Sequence, residues 1–156
     1  MKELYIMCGV PGSGKSTYIR ENASRGSSAV ISRDKIRFSM VDPTEAYFSK
    51  EKEVYNEYVR QINQALQSPW VDEVWCDATH ISKSARAKLV SAITMNRNDY
   101  CIHVIVIDPP IEKVIIQNAH RTGRECVPTS AITRMKDQFE DPAFDGITYE
   151  EVNYYE

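Results

Sequence analysis

The sequence predicts an α/β domain with a mainly parallel sheet flanked by helices on both faces. Three observations predict it. β-rich runs alternate with helical stretches along the chain. The first run ends in a glycine-rich turn followed by a helical stretch. A later run, residues 101–107, is apolar almost throughout, as strands buried on both faces are.

Leu4-Tyr5-Ile6-Met7-Cys8 reads as the first strand, with a helix from Thr17 to Asn22 beyond the glycines. Ala29 to Ser32 is the second strand. Pro43-Thr44 then opens a long helix, with Thr44 as its N-cap. Its apolar positions Phe48, Val54, Tyr55, Tyr58, Val59, Ile62, Ala65 and Leu66 recur at three- and four-residue steps. Tyr47, Phe48, Tyr55 and Tyr58 within it read as core. Val71 to Cys76 forms the third strand. Ser82 caps the next helix, whose buried stripe is Ala85, Leu89, Ala92 and Ile93. Asn96 to Asp99 makes a turn into the fourth strand. One helix follows Pro109-Pro110 through Val114 and Ile115. Another starts at Thr129 after Pro128, with Ile132, Met135 and Phe139 on one face. A short last strand falls around Ile147 to Val152.

At 156 residues, the chain fits one domain, 1–156, with room for a hydrophobic core. A composition 42% apolar and 26% charged is that of a soluble globular protein. No apolar run reaches transmembrane length, and the N-terminus has the wrong flanks for a signal peptide. Cys8, Cys76, Cys101 and Cys126 lie far apart without metal-type spacing. They read as reduced thiols in a cytoplasmic protein. The net charge of −3 argues against coating long nucleic acid, which needs a dominant basic face. A few local arginines are enough to grip a strand end.

Gly9-Val10-Pro11-Gly12-Ser13-Gly14-Lys15-Ser16 satisfies G-x-x-x-x-G-K-[ST] between a strand and a helix, and Thr17 follows it. Glycines let successive N–H groups turn inward onto phosphate oxygens, and the helix N-terminus adds positive charge. Lys15 then reaches the β- and γ-phosphates, and the Ser16 hydroxyl ligates Mg²⁺. These residues predict a P-loop that binds ATP, or GTP, with magnesium. Asn96-Arg97-Asn98-Asp99 mimics a guanine-reading N-K-x-D, but it follows a helix rather than a strand. Asp77-Ala78-Thr79-His80 also lacks the Asp-x-x-Gly of γ-phosphate switches.

A phosphotransferase needs further parts, and candidates stand at the carboxyl ends of strands, where open α/β sheets bind ligands. Asp34, after strand two, reads as a general base or as a helix N-cap. Arg37, one helical turn on, shares its face and suits an acceptor phosphate. Asp77, ending strand three, reads as a carboxylate that meets Mg²⁺ through water, or as a turn residue. Arg121 and Arg124 flank Gly123 in a segment that reads as a mobile lid or as solvated surface. The histidines lack metal spacing. His103 reads as a strand residue and His120 as a helix-end cation, which leaves His80 as the one near the site.

With these motifs, the sequence resembles the kinase domain of bacteriophage polynucleotide 5′-hydroxyl kinase and related small P-loop kinases over nearly its whole length. The likeness is carried by residues 9–17, by Ser32-Arg33-Asp34-Lys35-Ile36-Arg37, by Asp77 and by the segment from Arg121 to Val127-Pro128. The resemblance implies a P-loop kinase fold with an arginine-containing lid. It implies Asp34 as general base and Arg37 as the clamp on the phosphate 3′ to the accepting hydroxyl. It also implies a lid arginine on the transferring phosphoryl. Two features differ from the family. His80 stands where the family often has Asn, and the lid is one residue longer, so Arg121 and Arg124 are alternative matches. The phage enzyme's C-terminal phosphatase domain has no counterpart here, so phosphate removal is not expected.

The expected reaction is transfer of the ATP γ-phosphoryl to a nucleic-acid 5′-hydroxyl. Two alternatives stand beside it: a kinase for a small hydroxylated molecule such as a nucleoside, sugar or antibiotic, and a non-catalytic ATP-dependent switch.

Overall fold

The computed structural model describes residues 1–123 and 126–156. The elements run β1 (Lys2–Cys8), α1 (Lys15–Asn22), β2 (Ser28–Ser32), α2 (Arg33–Met40), α3 (Glu51–Gln67), β3 (Glu73–Asp77) and α4 (Lys83–Ala92). After them come β4 (Tyr100–Ile107), α5 (Ile111–Ala119), α6 (Thr129–Asp137) and β5 (Glu151–Tyr155). Short 3₁₀ turns at Arg97–Asp99 and Pro142–Phe144 precede β4 and β5.

The five strands pair in the order β2-β3-β1-β4-β5, every pair parallel. β1 lies at the centre because alternate residues meet different covers. Leu4, Ile6 and Cys8 face α2, α3 and α4, in a core with Ile36, Val54, Tyr58, Ile62, Leu66 and Leu89. Met7 faces the other way, with Trp75, Ile105 and Ile107, against Ile19 of α1. Both faces of the central strands are therefore dry, and β4 reads as a continuous apolar run. Each fully buried aliphatic side chain contributes about 1.5–3 kcal/mol. α5 and α6 pack at the carboxyl end of the sheet, where Val114 and Ile132 meet Val10 of the first loop.

Helix α3 begins at Glu51, not at Pro43-Thr44. The Asp42 carboxylate accepts from both the N–H and the hydroxyl of Thr44, at 2.9 and 2.7 Å. That local bond is a turn, and it removes Thr44 as a helix cap. Residues 43–50 are thereby released from helical register. Tyr58 and the later aliphatic positions are buried as expected, but Phe48 is 63% exposed. The last strand lies C-terminal to the expected span. Its register pairs His103 with Glu151 and Ile107 with Tyr155.

Two buried polar groups tie the layers together. Arg86 of α4 is fully buried. Its Nε and Nη2 meet the Asp145 carboxylate at 2.7 and 2.9 Å, and Nη1 donates to the His80 carbonyl at 2.8 Å. Tyr149 donates to the same carboxylate at 2.6 Å. This pairing anchors the segment that leads into β5. His80 is also buried, with φ of 40°. Its Nδ1 sits 2.7 Å from the Met7 carbonyl, which can only accept, so Nδ1 carries the proton. Nε2 then accepts from the Tyr58 hydroxyl at 3.1 Å. Burial, with Arg33, Lys15 and Arg86 nearby, pushes the imidazole down to about 4 against the pull of the Met7 carbonyl. His80 is thus a neutral core residue whose ring points away from the cleft.

Cys8 and Cys76 are buried in β1 and β3, and burial pushes the Cys8 thiol up to about 12. No helix among the described residues is long and apolar enough to cross a membrane.

Candidate active site

The carboxyl ends of β1, β2 and β3 open onto one cleft of about 1310 Å³. The first wall is the loop between β1 and α1. Gly14 adopts φ of 104°, a left-handed conformation that favours glycine, and α1 opens there without a side-chain cap. The first-turn N–H groups therefore lack intrahelical partners and sit at the positive end of the helix. At Gly9 a Cβ would lie 2.6 Å from Ser13 Oγ and 2.7 Å from the Ile107 carbonyl, so only glycine lets the loop close on β4. The Gly9 N–H donates to the Thr79 carbonyl at 3.0 Å, which fixes the loop to the end of β3.

Lys15 is buried and donates to the Gly9 and Val10 carbonyls at 2.9 and 3.0 Å. Burial holds its ammonium below the ordinary lysine range, while Asp77 and Asp34 pull the other way. The Ser16 hydroxyl donates to Asp77 Oδ2 at 3.1 Å, so the loop serine and the carboxylate ending β3 share one spot. Pro11, Gly12 and Thr17 line the cleft beside them.

The opposite wall comes from α2 and the turn that leads into α3. Ser32, not Asp34, caps α2, its Oγ accepting from the Lys35 N–H at 3.3 Å. Asp34 is left free for other work. Its Oδ1 accepts from Arg37 Nη1 at 2.5 Å and from the Tyr47 hydroxyl at 2.9 Å. Burial and Asp34 push the Tyr47 phenol up, so it stays protonated and donates. Arg37 is 6% exposed and also gives Nε and Nη2 to Glu51, at 3.1 and 2.6 Å. Arg33 reaches the same Glu51 oxygen at 2.6 Å. Burial alone lowers an arginine pKa and raises a glutamate's, but here the pairing outweighs it in both groups. Arg37 is raised and Glu51 lowered.

The third wall is the end of α5 and the segment after it. Arg121 is half-buried, and its Nη1 has no hydrogen-bond partner. Its charge is close enough to depress Lys15. Asn118 clasps the segment, Nδ2 donating to the Val127 carbonyl at 2.6 Å and Oδ1 accepting from the Val127 N–H at 3.0 Å. Arg124 lies outside the described residues.

Lys15, Ser16, Asp34, Arg37, Asp77 and Arg121 all line this one cleft. Glu51 and Asn118 join the site without having been read from the sequence, and Tyr47, read there as core, faces the cleft instead. The turn at residues 43–50 hid Glu51 and Tyr47, and no spacing rule singles out an asparagine late in a helix. Arg121 Nη1 has no partner and, with the Lys15 ammonium, is a donor in this cleft that a ligand's oxygens can meet. Together with the Ser16–Asp77 pair, these donors suit a nucleotide triphosphate with magnesium. A loop-type magnesium site takes one or two protein oxygens, the rest coming from phosphate and water.

A parallel α/β sheet carrying this loop, a carboxylate at the end of β3 and an arginine beyond α5 defines a P-loop kinase domain. The family model described as an AAA domain matches residues 4–142, and the chain belongs to that family. No curated protein matches the sequence. Among solved structures, the Pnkp1/Rnl/Hen1 RNA repair complex contains a chain 23% identical, with TM-score 0.66. The match covers 89% of this chain and 46% of that one, so the present chain spans less than half of its length. A fungal RNA kinase is 14% identical with TM-score 0.64, covering 99% of this chain and 74% of its own. A gluconokinase from Sinorhizobium meliloti 1021 is 19% identical with TM-score 0.61, covering 97% and 81%. At these identities the likenesses establish the fold.

Proposed function

We propose that this protein transfers the γ-phosphoryl of ATP to the 5′-hydroxyl of a nucleic-acid strand, an end-repair activity. The observation that carries the reading is Asp34, a carboxylate held by Arg37 and Tyr47 in the same cleft as Lys15.

Lys15 exchanges the Gly9 and Val10 carbonyls for the β- and γ-phosphates. Ser16 directly, and Asp77 through water, would hold a magnesium ion that neutralises charge on those oxygens. With Oδ1 occupied, Asp34 presents Oδ2 to the acceptor hydroxyl and takes its proton. The acceptor oxygen forms a bond to the γ-phosphorus as the bond to the β-phosphate oxygen breaks, leaving ADP. Arg121 or Arg124 meets the equatorial oxygens of the transferring group. Arg37, fixed by Glu51, offers its remaining N–H to the acceptor's nearest phosphate.

A second reading, a kinase for a small uncharged hydroxylated molecule, is favoured by one observation. Asp34 and Glu51 already pair with the guanidinium groups of Arg37 and Arg33, leaving little net positive charge on the acceptor side. The test is transfer of label from γ-labelled ATP to a 5′-hydroxyl oligonucleotide with Mg²⁺, with Lys15→Ala as control. Label on DNA or RNA that vanishes in the control supports the strand-end reading. ATP binding with no label on either strand shifts it to the small acceptor.

A further inference from the structure

Tyr47 and Phe48 stand on the acceptor side of the cleft in an unusual state for aromatic residues. Phe48 is 63% exposed, yet it is not loose surface. Its ring meets Tyr47 edge-on, centroids 4.6 Å apart at 87°. The Arg37 guanidinium lies 4.7 Å from the Tyr47 ring centroid and 5.5 Å from that of Phe48. Phe38 braces Tyr47 from 6.3 Å. Tyr47 is in turn fixed by its hydroxyl on Asp34. The exposed ring is thus held in place by the same two residues that hold the proposed base. The other exposed aromatics among the described residues, Trp70, Phe144, Tyr154 and Tyr155, lie away from the cleft.

An exposed ring held in one orientation beside a cleft is a ready surface for a flat partner. A nucleobase offers a π-face that any aromatic ring accepts. A ring backed by a cation on one side keeps its outward surface for stacking.

We propose that Phe48, positioned by Tyr47, is a stacking platform for the nucleobase of the nucleotide that bears the accepting hydroxyl. On the strand-end reading, the acceptor is then recognised partly through its terminal base. Because every base has a π-face, the platform tolerates all four. This deepens the strand-end reading and rests on it. Selectivity for the acceptor comes from the turn at residues 43–50, whereas the chemistry comes from α2 and the phosphate loop.

The test compares two 5′-hydroxyl oligonucleotides, identical except that one lacks the base on its first nucleotide. For each, kcat/KM is measured, together with equilibrium binding by fluorescence anisotropy, in wild type, Phe48→Ala and Phe48→Trp. Base stacking on an aromatic is worth about 5- to 150-fold. Wild type should prefer the base-bearing strand by that factor in kcat/KM and in affinity. Phe48→Ala should erase the preference, and Phe48→Trp should keep it. Equal handling of the two strands by active wild type overturns the platform and leaves the kinase reading intact. Equal slowing of both strands by Phe48→Ala overturns the platform in the same way. No transfer to either strand, with binding that still favours the base, refutes the kinase reading and keeps the platform. Neither transfer nor a binding preference refutes both.

Discussion

Replacing His80 by Asn should make the protein's stability less sensitive to acid. The neutral ring fills a buried site between the Met7 carbonyl and the Tyr58 hydroxyl, with its pKa near 4 instead of the ordinary 6.5. Between those values the unfolded chain binds a proton at this position that the native state refuses. Stability contributed by the neutral ring is therefore complete above pH 6.5 and is lost as pH falls toward 4. At pH 5 the unfolded form is protonated in nearly all molecules and the native form in few. The resulting cost is about 2 kcal/mol, approaching about 3 at lower pH. Asn is the fitting replacement, since it tolerates the left-handed backbone that His80 adopts at φ 40°. The assay is urea unfolding of both proteins at pH 7.5 and pH 5.0, read through the midpoint and slope. The wild type should lose about 2 kcal/mol more than His80→Asn between the two pH values. Parallel losses would refute the argument, because they would mean that the imidazole accepts its proton in the folded state.

Two further substitutions probe the cleft and its frame. Asp34→Asn should lower kcat by about 10²–10⁴ while nucleotide affinity, measured by calorimetry, stays near wild type. Turnover close to wild type would remove Asp34 as the base. Arg86→Leu leaves the buried Asp145 carboxylate without its charged partner and should cost about 3–5 kcal/mol in urea unfolding. A loss under about 1 kcal/mol would show that the pair does not anchor the C-terminal segment.

The donor half of the site was legible because its residues are contiguous. Gly9 to Ser16 are one run, a loop that passes into the first turn of α1, and its spacing predicts a phosphate cradle. Asp34, Arg37 and Asp77 were legible for a second reason: an acid or arginine just past a parallel strand faces the crevice. Glu51 was not, because it comes from the start of α3 and meets Arg37 only after the intervening turn folds back. That turn is built from local bonds, the two between Asp42 and Thr44 among them, that compete with a helix the apolar pattern otherwise supports. Arg86 was not legible either. Charge usually marks a surface, and nothing in the helical stripe of α4 announces that Asp145, far along the chain, arrives to neutralise it. The last strand was placed early because its edge pairing with β4, not local propensity, selects its residues.

The central position of β1 also sets when this protein can first bind anything. The strand lies between partners far along the chain, Glu73 to Cys76 on one side and Tyr100 to Val106 on the other. Gly9 closes against Ile107. The phosphate loop therefore leaves the ribosome well before the walls that complete it. At about 5–20 residues per second, roughly 5–20 s pass between synthesis of the loop and synthesis of β4. During that interval the nascent chain has a nucleotide motif but no nucleotide site. A truncation before β4 should therefore leave a fragment whose stability added nucleotide does not raise.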